Sequence, residues 1–566
     1  MRRANKLSPM ARGPIREGLG GVVSRLPNRV ADGLWETGIL IQTGILRPLR
    51  PDKLARIGGR YLRWGPSPAL GSAASAISHP DETALIDEAG ALTFAETHRR
   101  SNALARALRN EGIGPGDGVA IMCRNHRYFI EATMACSKLG AVALYLNTAF
   151  AGPQLADVIE RERPAALVYD DEFTDLLSGV GSSLRRYVAW EEEGAKRTEE
   201  AATVEKLISS AHGDDLEPPE ENGRFIILTS GTTGTPKGAQ RGQPEGLGAL
   251  AALFSKIPRR HRETVMIAAP LFHSWGFLHF ILSLPLAATM VLRRRFDPED
   301  TLRATAEHRA RTLAVVPVMM QRILELPPEV RRRYDLSHLE VTAASGSALP
   351  GELATKWMDE FGDNLYNLYG STEVSWATIA TPEDMRAAPG TAGRPPRGTV
   401  IRVVDDEGNE VPEGETGRLF VGNEMAFEGY TGGGDKQHLG ELLASGDVGH
   451  FDPEGRLFID GRDDEMIVSG GENVFPREVE DLLSDHDAVV EAAALGVEDE
   501  EFGQRLRAFI VTKEGSEVTE EELKAHVKAN LARFKVPREI VFVDELPRNA
   551  TGKVLKRELA ERDLSS

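Results

Sequence analysis

Apolar positions along this chain follow two alternating periods, beginning near residue 80. Thr93 and Glu96 stand at capping-box spacing and open a helical stretch that ends near Gly112. GVAIMC, Gly118 to Cys123, is continuous enough in apolar side chains to predict a buried strand. Tyr128 to Gly140 predicts a helix, and AVALYLN, Ala141 to Asn147, another strand. A helix near Gln154 to Glu160 leads into the strand AALVYDD, Ala165 to Asp171. Strand–helix–strand alternation of this kind predicts an α/β domain with a largely parallel sheet. Residues 209–223 are acidic and rich in Pro and Gly, which predicts an exposed loop.

After about residue 463 the units become shorter. A helix is expected near Arg477 to Ser484, with strands near Val489 to Val497 and Arg505 to Thr512. A helix opened by Thr519 with Glu522 follows, then a strand near Glu539 to Val543. This is the texture of a separate small α+β domain of roughly a hundred residues. Internal repeats and long low-complexity tracts are absent from the sequence.

Composition narrows the picture. The 566 residues suit two or three domains, and 41% hydrophobic content suffices for real cores. A formal net charge of −19 argues against coating nucleic acid. The charge is uneven: residues 1–70 carry 13 Lys/Arg, among them Arg2, Arg3, Lys6, Arg12, Arg16, Arg60 and Arg63, against 4 acids. The same segment holds Trp35, Ile39, Leu40, Ile41, Ile45, Leu46 and Trp64. Residues 1–75 therefore form a basic extension that suits either an anionic membrane surface or packing on the acidic body. Cys123 and Cys136, the two cysteines, sit in apolar surroundings without a CxxC or Cys/His motif, so neither a disulfide nor a zinc site is expected and a reducing cytoplasm fits. No apolar run approaches the roughly 20 residues a spanning helix needs, and the basic N-terminus lacks the apolar region of a secretory signal. The expected location is cytoplasmic, with the inner face of a membrane as the alternative.

The densest chemistry lies in FIILTSGTTGTPKGAQR, Phe225 to Arg241. A short apolar strand, FIIL, runs into Thr229, Ser230, Gly231, Thr232, Thr233 and Gly234, then Thr235, Pro236, Lys237 and Gly238. Glycines let backbone N–H groups turn toward an anion, hydroxyls add donors, and Lys237 adds a mobile positive charge. The order differs from GxxxxGK[ST], so this is not a Walker A loop. It resembles the signature loop of the adenylate-forming superfamily, which includes acyl-CoA synthetases, peptide-synthetase adenylation domains and luciferases. The resemblance continues in order over roughly residues 80–560.

That resemblance implies an α/β fold with a large N-terminal adenylation domain of parallel-sheet subdomains, residues 76–463. It also implies a small mobile α+β C-terminal domain, residues 464–566. PLFHSWGF, Pro270 to Phe277, matches a block lining the acyl pocket, so His273, Phe277 and Gly370 are expected there. His273 is not expected to act as a base, because a carboxylate nucleophile needs no deprotonation at neutral pH. SGSALP, Ser345 to Pro350, resembles the turn that packs on adenine through Gly346, Ser347 and Ala348. In YGSTE, Tyr369 to Glu373, Tyr369 is implied to stack on adenine beside Gly370 and Ser371, Thr372 to bond a phosphate and Glu373 to hold Mg²⁺. Asp447 resembles the ribose-binding acid, Arg462 the basic residue beside it, and Ile459 a further ATP contact. Asp464 matches the hinge. Ser469, Gly470, Gly471 and Lys535 match contacts to coenzyme A, and Lys553 the lysine that reaches the α-phosphate during adenylation.

The implied cofactors are ATP, Mg²⁺ and coenzyme A, and the partners are a small carboxylic acid and CoA. A medium- or long-chain fatty acid is the expected acid. An aryl acid, a carrier protein as acceptor, and a nucleotide-binding scaffold without catalysis stand as alternatives, and a homodimer is left open. Ser445 where Thr is commoner, and the short glycine-rich stretch before Asp447, depart from the family pattern and put local loop shape in question.

Overall fold

The computed structural model describes residues 25–181, 183–192, 202–229, 237–241, 247–425, 427–431, 435–463, 465, 467–469, 472–499, 503–531, 535–549 and 552–561. Two eight-stranded sheets organise the large part of the chain. In the first, Val341–Ala344, Thr312–Val315, Thr264–Ile267, Thr289–Leu292 and Thr83–Asp87 form its middle, with Leu365–Tyr369 beside Val341–Ala344. These pairs are parallel; the edge pairs, with Thr378–Ala380 and Gly90–Thr93, are antiparallel. The second sheet runs in parallel from Phe225–Thr229 through Val142–Tyr145, Gly118–Met122 and Ala166–Tyr169 to Arg185–Val188. Its other end turns antiparallel through Lys237–Arg241 and Phe427–Tyr430.

The alternation legible in the sequence is realised element by element. Thr93 caps the helix Phe94–Asn110 through the full reciprocal bond with Glu96. Gly140, at φ 71°, closes the helix Arg127–Leu139 in the left-handed region that favours glycine. That helix is buried over its whole length apart from Tyr128, because it lies within the main core. Its charged residues must then be paired inside the protein: Glu131 receives Arg100, and Lys138 donates to Ser101 Oγ at 2.7 Å.

A third sheet, not foreseen, is antiparallel: Val400–Val404, Gly417–Gly422, Leu442–Phe451, His438–Leu439 and Leu457–Arg462. The small domain holds the helices Pro476–Ser484, Glu520–Asn530 and Lys556–Glu561 on a five-stranded sheet centred on Gly503–Thr512. Thr519 and Glu522 form the expected capping box.

One expectation needs correction, and one alternative is met in part. Residues 210–224 carry no regular element but are not simply exposed: Leu216 is buried, and Asp215 accepts hydrogen bonds from His98 and Asn102. An acidic, Pro-rich segment can still be tied down when its acids find partners under it. Residues 25–78 form three helices, α1 (Arg25–Gln42), α2 (Pro51–Trp64) and α3 (Pro68–Ser78). The basic extension therefore packs on the body over its described part. Asp32 pairs with Arg397, whose guanidinium lies 4.7 Å from the Trp35 ring centre. Arg60 pairs with Asp215, and Lys53 donates to the Ser78 carbonyl. Among the described residues no helix is long and apolar enough to cross a membrane.

Candidate active site

Parallel strands deliver their following loops to one edge of the sheet, where ligands of such folds sit. Here Thr264–Ile267 leads to His273, Val341–Ala344 to Gly346, and Leu365–Tyr369 to Gly370, Thr372 and Glu373. These loops line one cleft of about 1390 Å³ whose opposite wall comes from the small domain. Ser347, Ala348 and Ser371 line the same cleft. Asp447, Ile459 and Arg462 reach it from the antiparallel sheet, and Lys553 from the small domain.

Two glycines permit the close approaches. A Cβ at Gly370 would stand 2.1 Å from the Ser375 carbonyl oxygen, so the chain can fold back there only without a side chain. Gly552, at φ 80°, brings the turn before Lys553 against Val318, where a Cβ would meet Val318 Cγ1 at 2.4 Å. That contact seats the small domain's lysine over the large domain.

The charges are held in defined states. Glu373 is nine-tenths buried, and burial works to raise its pKa. The Tyr430 hydroxyl at 2.7 Å, the Lys436 ammonium and the Ser371 hydroxyl at 2.9 Å outweigh that and hold it below the usual carboxylate value. An ionised carboxylate with lone pairs to spare, beside phosphate-sized space, fits a hard divalent cation such as Mg²⁺. Asp447 and Arg462 are directly opposed across two strands, with Arg462 Nη1 3.1 Å from Asp447 Oδ1. Tyr369 donates its hydroxyl to Asp447 Oδ2 at 2.6 Å. Burial, with Asp447 beside it, raises the Tyr369 phenol well above 10, so it remains a donor. Ser445 also has a place: its Oγ accepts the Asp447 backbone N–H at 3.0 Å, so the departure from Thr keeps the hydroxyl that fixes this turn. Burial lowers the pKa of His273 to about 4, leaving a neutral imidazole in the cleft wall.

Not every expected residue joins the cleft. Phe277 packs into the core against Tyr145, Phe225 and Phe280 rather than lining the acyl end. His273 is the N-cap of the helix Ser274–Ser283, whereas Phe277 lies within that helix and is buried. Lys535 pairs with Glu478 at 2.6 Å within the small domain. Ser230, Gly231, Thr232, Thr233, Gly234, Asp464, Gly470 and Gly471 lie outside the described residues. For Thr229, Lys237 and Ser469 the structure gives the strands they occupy. Thr229 and Lys237 are antiparallel partners. The sequence reading missed Trp376, Tyr430 and Lys436, all in the cleft. Lys436 sits in the glycine-rich stretch before Asp447, which departs from the family pattern and so drew attention to loop shape rather than to charge.

A second cluster corrects the reading of the cysteines. Cys123, His126 and Asp170 are buried together, with candidate ligand atoms within 4.8 Å of one another. His126 Nε2 bonds Asp170 Oδ1 at 2.7 Å, and His126 Nδ1 accepts the Tyr128 N–H. Both ring nitrogens are thus committed to hydrogen bonds inside the protein, and burial raises the Cys123 thiol, so a Cys/His/Asp cluster stands where no Cys/His partner was expected.

A family model described as AMP-binding enzyme matches residues 73–431, and one for the AMP-binding enzyme C-terminal domain matches residues 478–553. The chain is 32% identical over 496 residues to a feruloyl-CoA synthase of an Amycolatopsis species, covering 85% of this chain and 96% of that protein. It is 31% identical over 495 residues to an indoleacetate–CoA ligase of Aromatoleum aromaticum, covering 85% and 95%. The crystal structure of the anthranilate CoA ligase AuaEII in complex with anthranoyl-AMP superposes with a TM-score of 0.78 at 26% identity, covering 87% of this chain and 96% of that one.

Proposed function

We propose that this chain, which belongs to the AMP-binding enzyme family and is an acid–thiol ligase using ATP, Mg²⁺ and coenzyme A, activates a compact, apolar, ring-bearing carboxylic acid. The acid would be joined first to AMP and then to CoA. The observation that carries the acid class is the apolar end of the cleft. Trp275, Leu278, Trp376 and Met425 line it, beside a neutral His273. Trp275 is pinned by its indole N–H to the Val315 carbonyl at 3.0 Å and stands edge-on to His279. A cleft lined by a fixed indole and a second tryptophan suits flat rings, which meet such walls face or edge without bending. The acids named for the two relatives and for the AuaEII complex support the same class.

In the first step the substrate carboxylate oxygen bonds to the α-phosphorus of ATP, and the bond to pyrophosphate breaks. Lys553 would stabilise charge developing at the α-phosphate, and Asp447 with Arg462 would hold the ribose. Glu373 would hold Mg²⁺, which supplies charge neutralisation to the phosphates when bound. In the second step the CoA sulfur bonds to the acyl carbon, AMP leaves, and the thiol proton passes to solvent. His273, uncharged, would shape the carboxylate's berth without competing for its charge. The small domain would rotate about Asp464 between steps, exchanging Lys553 for the face carrying Gly470, Gly471 and Lys535.

A fatty acid of medium or long chain is the second reading. A small cavity lined by Leu253, Phe254, Ile257 and Leu282, and also by the buried Arg259 and His279, shares Trp275 and Leu278 with the cleft. An alkyl tail could enter it if Trp275 turned aside. Acid-dependent AMP release with CoA, scored over acetate, octanoate, palmitate, benzoate, cinnamate and indoleacetate, separates the readings. Highest kcat/KM on the ring-bearing acids is expected. Preference for octanoate or palmitate would replace the proposal with the second reading.

A further inference from the structure

Helix α2 keeps apolar side chains on both of its sides. The side that faces the protein carries Lys53, Arg60 and Trp64, with Lys53 bonded to the Ser78 carbonyl and Arg60 to Asp215. The side that faces away carries Leu54, Tyr61 and Leu62, which are 58%, 55% and 86% exposed. Spacings of i, i+7 and i+8 place these three on one face, and Pro51, Ala55 and Gly58 fall on the same face. Arg56 and Arg63, also seven apart and both exposed, form the adjoining flank, which they share with Asp52, and Arg63 lies 3.8 Å from the exposed Glu217. Trp64 and the half-buried Ile57 anchor the helix to the body, but folding alone does not favour turning two leucines and a tyrosine to water while Lys53 and Arg60 approach the protein.

The pattern extends beyond one helix. Of the nine large hydrophobic residues that stand exposed among the described residues, six lie between Leu34 and Leu62. Leu34 and Ile41 repeat the seven-residue spacing on α1, and Leu46 follows in the connection. Charge separates the candidate occupants of such a face. The protein is strongly acidic overall, yet its first 70 residues have a balance of +9. An apolar strip with a tyrosine and a bordering row of arginines matches the boundary between acyl chains and anionic headgroups, where long cationic side chains reach up to phosphates.

We propose that α2, assisted by the exposed leucine and isoleucine side chains of α1 and its connection, seats the enzyme on an anionic lipid surface without crossing it. The test is sedimentation of the full-length protein with vesicles of phosphatidylcholine alone or mixed with phosphatidylglycerol. Binding to the mixed vesicles, weakened by salt, is expected for the unaltered chain. Leu54→Ser with Leu62→Ser, and separately Arg56→Glu with Arg63→Glu, should each lower that binding by about tenfold or more. Both double variants should keep the unaltered chain's ATP–pyrophosphate exchange with a soluble acid, which shows that they fold. Absence of binding by the unaltered chain, or equal binding by the variants, overturns the proposal. So does a dimer in sedimentation velocity that the Leu54→Ser/Leu62→Ser variant dissolves while no vesicle binding is seen, since the face would then be a contact between copies.

Discussion

Single residues in this chain owe their roles to neighbours that are distant in sequence. Glu373 stays ionised although buried because Tyr430 and Lys436, more than fifty positions later, supply a donor and a charge. The motif YGSTE made Glu373 legible, but nothing local marked its two supporters. Lys553 was legible from its motif, and its berth over the large domain was not. Lys553→Ala should slow pyrophosphate release from acid plus ATP by about a hundredfold or more, as loss of a transition-state charge partner does. Thioester formation from supplied acyl-AMP should persist, and equal loss of both half-reactions would remove the role assigned to it. Lys138 gives a stability counterpart. Burial lowers its pKa to about 7, against the pull of Asp215 and Glu131. Between about pH 7 and the unfolded value near 10.4 the unfolded chain binds the extra proton, so folding stability rises with pH. Below about 7 both states carry the proton, and the cost of burying it is fully present. Lys138→Met should remove this contribution, up to about 1.4 kcal/mol per pH unit. Denaturant titrations of both proteins at about pH 7.5 and 9.5 would reveal it as a stability gap that narrows with rising pH.

At the level of elements, periodicity carried the parallel core of the second sheet and the small domain because buried strands and capped helices have local signatures, whereas the first sheet entered only through the fold that the resemblance implied. Thr93 with Glu96 and Thr519 with Glu522 are such signatures, and both form. The third sheet escaped because its strands alternate partly exposed positions and are stitched antiparallel by turns, which leaves no long apolar run. The segment 210–224 escaped for a different reason: its order depends on partners elsewhere. Asp215 joins it to Arg60 on α2 and to His98 on the helix Phe94–Asn110. Asp215→Ala should release both α2 and this segment. The expected cost is about 1–2 kcal/mol after allowing for the half-exposed carboxylate. Limited proteolysis should show faster cleavage within residues 210–224, while adenylation of a soluble acid is kept. Unchanged cleavage would mean that Leu216 and the backbone contacts hold the segment by themselves.

For the whole molecule, the decisive geometry is the seating of the small domain. A Cβ at Gly552 would stand 3.1 Å from Val318 Cβ, close to the separation of about 3.5–4.5 Å at which two cysteines can be bridged. The native cysteines, Cys123 and Cys136, are both buried and would not compete. A chain carrying Val318→Cys and Gly552→Cys can therefore be locked by oxidation in the posture described here, at the cost of some strain from the positive φ at residue 552. If Lys553 serves only the first half-reaction, the locked protein should still release pyrophosphate from acid plus ATP in a single turnover. It should form thioester from supplied acyl-AMP at least about tenfold more slowly than the unlocked protein, and reductant should restore that rate. A locked enzyme that completes both halves at undiminished rate would mean that one posture suffices, and the proposed rotation about Asp464 would have to be abandoned. Loss of the first half-reaction with retention of the second would assign this posture to thioester formation instead.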